Sequence, residues 1–354
     1  TANSNQFANP DLKPVSIKEY EVGLNLAFMS NRLSFDMAYY NKNTTDDIAV
    51  VTTSSASGFG SKYMNVGEIR NQGFEFMVNA TPVHTKNFSW ETTFNFAYND
   101  SEVKYLGGVK SLSIDGASAR SGNVTVRNIV GQPYGMLVGY KYARDEQGRV
   151  IHKNGIPQAT DELQNLGNGV YKYTGGWSNT LRFRDFSLSF LIDYKAGASL
   201  FSGTNYSLYS EGLHKGTLLG RTVDNPGGSG FIGAGVMIDD NGKILGENNV
   251  AVNAQDYHKG IVNNNIAEEF VYNASFIKLR ELSLGYTFPQ SVLNKMKVVK
   301  GLSVSLVGRN LWTILKHTDN IDPESAYNNT NGQGLELNGY PATRNVGFNV
   351  NVKF

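Results

Sequence analysis

Apolar and polar residues alternate along most of this chain, and Asn345–Phe354 shows the pattern most plainly. Val346, Phe348, Val350, Val352 and Phe354 fall on one side. Asn345, Gly347, Asn349, Asn351 and Lys353 fall on the other. A strand turns successive side chains to opposite faces, so the pattern predicts a strand with one greasy and one polar face. A strand buried on both faces would read as a continuous apolar run. The same alternation marks Lys18–Phe28 (Val22, Leu24, Leu26, Phe28) and Leu33–Asn41 (Leu33, Phe35, Met37, Tyr39). The short turn Met29–Arg32 between them predicts a hairpin. In the clearest copy Phe88, Trp90, Thr92, Phe94, Phe96 and Tyr98 alternate with Ser89, Glu91, Thr93, Asn95, Ala97 and Asn99. A soluble sheet buries such a face only under a second layer as long. A lipid-facing barrel strand needs no second layer.

Further strands are predicted at Val66–Ala80, Val124–Val130, Met136–Tyr142, Val170–Phe183, Phe186–Lys195, Ser275–Phe288 and Leu302–Asn310. Short turns (Thr81–Asn87, Arg184–Asp185, Pro289–Lys300) alternate with long polar stretches (Asn43–Met64, Lys104–Asn123, Ala143–Gly169, Ala196–Phe270, Trp312–Tyr340). The longest is of a length that compact domains keep for function. Turns on one side and loops on the other predict an all-β fold, a membrane-spanning antiparallel up-and-down β-barrel. The predicted strands number about eleven, whereas single-chain bacterial barrels have an even number. Both edges of such a sheet would be open in lipid. Residues 1–354 are therefore expected to be the C-terminal part of a larger barrel.

Composition narrows the function classes. The net charge is +1, with charged residues at 18%, which argues against a nucleic-acid partner. There is no cysteine, which removes disulfides, thiolate metal sites and thiol nucleophiles. No apolar run is long enough for a spanning helix, but a barrel strand needs only about 9–11 residues, half of them apolar. Thr1 opens no signal peptide, so either the N-terminus was processed or the chain is a piece of something larger.

Several stretches then resemble one family. They are Asn9-Pro-Asp-Leu-Lys-Pro14 with Tyr20-Glu-Val-Gly-Leu24, Asn65-Val-Gly-Glu-Ile-Arg-Asn-Gln-Gly-Phe-Glu75, and Asn273-Ala-Ser-Phe-Ile-Lys-Leu-Arg-Glu-Leu-Ser-Leu-Gly-Tyr-Thr-Phe-Pro289. Val307-Gly-Arg-Asn-Leu311 follows, then Asp322-Pro-Glu324, then Pro341-Ala-Thr-Arg344 and the ending Gly347 to Phe354. In order and spacing they resemble the SusC/RagA family of TonB-dependent outer-membrane transporters of Bacteroidota, from near Asn9 to the end. The resemblance implies roughly the C-terminal eleven strands of a 22-stranded barrel in the outer membrane of a Gram-negative bacterium. It implies partners too: the N-terminal barrel and plug portion, TonB–ExbB–ExbD reached through that portion, and a SusD-like surface lipoprotein as lid, the pairs assembling as dimers. It implies oligosaccharide or oligopeptide import.

No catalytic constellation, metal site or cofactor site emerges. His84, His152, His214, His258 and His317 lie in turns or loops at no ligand spacing, and a surface or loop role is expected. Asp239-Asp-Asn-Gly-Lys243 looks faintly like a calcium loop, but the closing Glu is missing and a tight turn explains it better. Asp145-Glu-Gln-Gly-Arg149 is a turn of the same kind. Arg280, Glu281 and Arg309, with Lys195, Asp193 and Lys353, fall on or near the lumen-facing phase. There they hold cross-strand pairs or a plug, or touch substrate. Tyr206, Tyr209, Phe231, Tyr257, Trp312 and Tyr327 are loop aromatics, candidates for substrate or lid contact or for loop packing. Phe88, Trp90, Phe94, Phe96, Val346, Phe348, Val350 and Phe354 are expected to face lipid.

Two functions remain open. One is import by a transporter of this kind. The other is a non-transporting scaffold subunit of a larger outer-membrane assembly, and a TonB box and plug elsewhere would decide for import. A soluble sandwich enzyme or adhesin fails on the repeated greasy faces.

Overall fold

The computed structural model describes residues 6–7, 9–52, 56, 58–119, 122–221, 230–296, 298–325 and 332–354. Among these, nine strands form one antiparallel wall, each paired with the next: β1 (Ser16–Phe28), β2 (Leu33–Thr52), β3 (Ser61–His84), β4 (Phe88–Leu106), β5 (Tyr173–Phe183), β6 (Phe186–Ala196), β7 (Phe276–Thr287), β8 (Gly301–Lys316) and β9 (Asn345–Lys353). A two-residue strand, Gln6–Phe7, adds in parallel to the start of β3. β1 and β9 are the edges, and every residue of both is exposed.

The registers carry the alternation across the whole wall. Leu26, Phe35, Val78, Phe94, Trp177 and Ile192 stand in one cross-strand row. Trp90, Leu181, Leu188, Leu284, Leu306 and Phe348 stand in another. Phe88 and Val350 close a third row, Phe96 pairs with Phe76, and Val346 with Gly308. These side chains share one face. Phe354 lies just past β9, 74% exposed. Asn179 breaks the apolar stripe, and the reason is local. Its Oδ1 accepts from Trp90 Nε1 at 2.9 Å, while Trp177 Nε1 donates to Thr92 Oγ1 at 2.8 Å. Each indole N–H is thereby paired within the apolar face. The other face is polar, with Asn25, Asp36, Met77, Asn95, Gly176 and Asp193 in one row. Gly73 interrupts β3 there because the Tyr40 ring lies across it, its hydroxyl donating to Asn99 at 2.9 Å. A Cβ at Gly73 would strike Tyr40 and the Tyr98 carbonyl.

Three expectations need correction. Val124–Val130 and Met136–Tyr142 are not wall strands. Thr125–Ile129 and Met136–Gly139 belong to a separate four-stranded sheet with Ser111–Ser118 and Gln164–Asn168. Met136–Gly139 is buried on both faces, which no wall strand is, and the wall counts nine strands rather than eleven. The polar stretch Asn43–Met64 is mostly strand, because β2 runs on to Thr52 and β3 begins at Ser61. Ala143–Gly169 and Ala196–Phe270, read as long polar loops, contain regular structure among their described residues. They hold short strands and two helices, α1 (Gly203–Ser210) and α2 (Ala254–Asn263).

These long connections fold together as an outer domain on one end of the wall. Val124, Val126, Leu137, Phe201, Ile261, Ile266, Phe270 and Leu335 form its core. The wall, one residue thick, buries little by itself. The helices start by capping: Ser202 accepts from Asn205 N, and Asn253 accepts from Gln255 N with Asp256 in the first turn.

Candidate functional site

The chemistry gathers where the polar face of β6–β8 meets the outer domain. Strict alternation cannot put neighbours Arg280 and Glu281 on one face. The pairing of β7 with β8 shifts between Leu279 and Glu281, and Asn310 in the facing strand has a left-handed φ of 51°. This bulge, which Asn tolerates, brings Arg280, Glu281, Arg309 and Asn310 to one hollow of about 900 Å3. Arg309 Nε donates to Glu281 at 3.0 Å, and Arg280 Nε donates to Asp193 at 2.7 Å. Asp36 and Glu75 line the opposite bank.

Above this row sits a strap, the connection from β8 to β9. Lys278, 4% exposed, donates to both carboxylate oxygens of Asp322 (2.6 and 2.8 Å) and to Glu324 at 2.8 Å. Arg280 also bonds Glu324, and Lys195 lies 3.6 Å from it. The Tyr171 hydroxyl donates to the Pro323 carbonyl at 3.0 Å. Burial works to raise the Glu324 carboxyl, but hydrogen bonds from Arg280 and Lys278 outweigh it and hold it down at about 2. Farther along, Leu335 enters the outer core. Glu336, 1% exposed, accepts from Ser202 Oγ, Thr204 Oγ1 and Gly339 N. Thr204 N, in the first turn of α1, also donates to it at 3.3 Å. The strap is thus pinned to wall and outer domain at once. Between the pins opens a cleft of about 580 Å3 that shares Arg280 and Asn310 with the hollow below.

Sequence reasoning placed Arg280, Glu281, Arg309 and Asp193 here but assigned no role to Lys278, Asp322, Glu324 or Glu336. Lys278 was signalled by its spacing of two from Arg280 on one strand. The loop aromatics go elsewhere. Tyr206 rings against Phe201 and Phe270, and its hydroxyl donates to the Val262 carbonyl at 2.8 Å. Tyr209 is buried against Phe270, His214 and His258. Phe231 packs edge-on to Tyr257, which stacks on His152. These four help build the outer domain's packing. Trp312 lies within β8 opposite Leu279, 58% exposed, because the strand continues to Lys316; it also borders the cleft. Tyr327 lies outside the described residues.

Three of the five histidines are not on the surface: His152, His214 and His258 are buried. Burial lowers all three from their ordinary 6.5. Glu269 accepts from the Tyr142 hydroxyl at 2.8 Å and from that of Tyr209 at 3.0 Å. Burial, then the Glu269 charge, pushes both phenols far up. No group of metal-ligating side chains occurs among the described residues. Asp239 accepts from the backbone of Asn241 and Lys243, and Asp145 from Gln147 and Arg149, as tight turns do. What the site can do is hold and orient: it fixes a strap over a polar hollow.

A wall apolar on one face and polar on the other, with a folded cap of long connections on one end, has the form of part of a membrane β-barrel. Residues 1–311 match the family model described as TonB dependent receptor-like, beta-barrel. The chain belongs to that family. It is 25% identical to TonB-dependent receptor P3 of Formosa agariphila over 98% of this chain and 35% of that one. It is 23% identical to TonB-dependent receptor SusC of Bacteroides thetaiotaomicron over 98% and 32%. The chain therefore spans about a third of the length of the curated relatives it matches. Its fold is that of the RagAB peptide transporter structure, with a TM-score of 0.70 at 22% identity, covering 98% of this chain and 36% of that one.

Proposed function

We propose that this chain is the C-terminal part of the barrel of an outer-membrane importer. The rest of the barrel, a plug and the TonB-contacting segment lie elsewhere in a longer protein and close the wall at β1 and β9. The cargo is an oligosaccharide or oligopeptide, energy comes through TonB–ExbB–ExbD, and a SusD-like lipoprotein covers the outer domain, in dimers of such pairs. Phe88, Trp90, Phe94, Phe96, Val346, Phe348, Val350 and Phe354 contact lipid. Arg280, Glu281 and Arg309 line the lumen.

The observation that supports this most is the two-faced wall. An apolar face of nine strands needs no covering layer in hydrocarbon, while the opposite face carries ion pairs that require a wet interior. The test deletes the full-length protein from its bacterium and measures growth on a panel of oligosaccharides and oligopeptides as sole nutrient. Loss of growth on one class, restored by the intact protein, is expected. Unchanged growth on every member, with neighbouring membrane proteins now missing from the outer membrane, would overturn import in favour of a scaffold.

A further inference from the structure

We infer that a cavity on the inner face of β2 and β3 is a subsite for the basic side chain, lysine or arginine, of an oligopeptide, with Asp47 as its counter-ion. The inference narrows the cargo of the proposed importer to one class and rests on that reading for how the peptide arrives. Binding itself is measured apart from transport.

A bulge makes the site. Ala38, Tyr40 and Lys42 of β2 stand on the inner face, so strict alternation would send Asp46 inward and Asp47 outward. The pairing breaks that phase. Thr44 faces Ile69 and Asp47 faces Gly67, so two residues of β2 lie opposite one of β3, with Asp46 at a left-handed φ of 58°. Asn65 holds the bulge, its Nδ2 donating to the Asp46 carbonyl at 2.7 Å. Asp47 is thereby turned inward. Gly67 leaves room for it, because a Cβ there would strike the Asp47 Cβ. The sheet that holds Ser111–Ser118 and Thr125–Ile129 closes the other side, through Leu112, Ile114 and Asn128. The cavity between has a volume of about 440 Å3, and among the described residues none from the edge strands β1 and β9 lines it.

The lining selects the ligand. Among the described residues Asp47 is the sole charged group of the cavity and joins no ion pair. Its carboxylate accepts one hydrogen bond there, from the neighbouring Ile48 N at 3.0 Å. A half-buried carboxylate without a cation is unfavourable, and a cation brought in on an apolar stem offsets that. Ile69, Leu106, Leu112 and Ile114 supply an aliphatic surface for such a stem. The rings of Tyr63 and Tyr134 border the same space, and aromatic faces attract cations. Burial, then the Asp47 charge, raises the Tyr134 phenol, which stays neutral beside the carboxylate. One carboxylate with no second acid or histidine beside it is a poor metal site. A sugar ring asks for partners for several hydroxyls, and most of this surface is aliphatic. Asn128 is one of its few amides, and its Oδ1 already accepts from Gly135 N at 3.3 Å. A lysine or arginine side chain asks for what is present: one acid at the end of an apolar wall.

The experiment measures calorimetric binding to the full-length protein, purified in mild detergent. The probes are alanine pentapeptides capped at both ends, whose central residue is lysine, arginine, norleucine or glutamate, and a glucosamine trimer as a cationic sugar. Variants are Asp47→Asn and, as a control on the outer domain's surface, Glu247→Gln, each checked for the heat-modifiable band of a folded barrel. A basic peptide should bind the wild type about tenfold more tightly than the norleucine peptide, a comparison that needs no variant to fold. Asp47→Asn should abolish that preference and Glu247→Gln should keep it. The preference should shrink with salt. Equal affinity for norleucine or glutamate, tighter binding of the glucosamine trimer, or a preference retained in Asp47→Asn would each overturn the inference. No preference in a protein whose deletion abolishes growth on peptides overturns the subsite and leaves import standing. The preference in a protein whose deletion spares growth on every nutrient overturns import and leaves the subsite standing.

Discussion

Replacing Glu324 by Gln should loosen the strap without loosening the wall. Glu324 accepts from Lys278 and Arg280, and those two cations hold its carboxyl at about 2 against an ordinary 4.5. That difference corresponds to about 3 kcal/mol of preference for the ionised, bonded state. The side chain is 23% exposed, and solvent screening reduces this to about 2 kcal/mol. The sign follows from the direction. A carboxyl held below its unfolded value contributes fully above 4.5, and the contribution is lost as pH falls from 4.5 toward 2. The assay is amide hydrogen exchange of the full-length protein, followed on peptides spanning residues 317–325 and 332–339. At neutral pH Glu324→Gln should exchange about 30-fold faster there. In the wild type the same segments should lose protection between pH 4.5 and 2, after correction for intrinsic rates, and the variant should show little of that acid dependence. Unaltered exchange in the strap would refute the pinning. Equal acceleration in β1–β4, which Glu324 does not touch, would show general destabilisation instead.

Phe94→Asp should impair barrel assembly by about 2 kcal/mol or more, because Phe94 stands on the apolar face between Val78 and Trp177; Asn95→Asp, on the polar face, should be tolerated. Heat-modifiable gel shifts measure both, and equal loss would invert the strand phase. His214 Nε2 and His258 Nδ1 are buried without partners, and burial lowers both histidines below their ordinary 6.5. Their neutral forms are the folded ones, so the outer domain should be fully stable above about 6.5 and weaken as pH drops below it, where unfolded imidazoles take up protons. Exchange protection of α2 that stays constant from pH 8 to pH 5 would refute this.

The wall was legible because its signal is local and repeated. Residues Phe88–Asn99 carry their own face assignment, and each hairpin turn limits the register of its strands. The outer domain was not legible for the complementary reason. Its strands run from two to eight residues, too few to show a period, and Met136–Gly139 is apolar on both faces, which reads equally as a weak wall strand. The helices did leave a mark. Asn253 with Asp256 three residues on is a helix-start pattern that the Gly/Asn-rich composition around it obscured. Leu335 and Glu336 could not have been found at all, since their partners Phe201 and Ser202 are more than a hundred residues away.

The inner-face site lies between these cases, and it shows what alternation cannot say. Period two puts Lys278 and Arg280 together and sends Glu281 to the other side. The register shift between Leu279 and Glu281, with Asn310 at positive φ, reverses the phase and delivers Arg280 and Glu281 to one hollow. It also turns Trp312 to the side of Leu279 and Ile192. The bulge therefore does two jobs with one residue. Below it the wall follows the strict pattern of a lipid-facing strand; above it the same strand presents charged groups that meet Asp322 and Glu324 of the strap. The stretches Phe276-Ile-Lys-Leu-Arg280, Arg309-Asn310 and Asp322-Pro-Glu324 are far apart in sequence. They form one unit because the first supplies the cations, the second re-aims them, and the third brings the carboxylates that close the strap over the polar hollow.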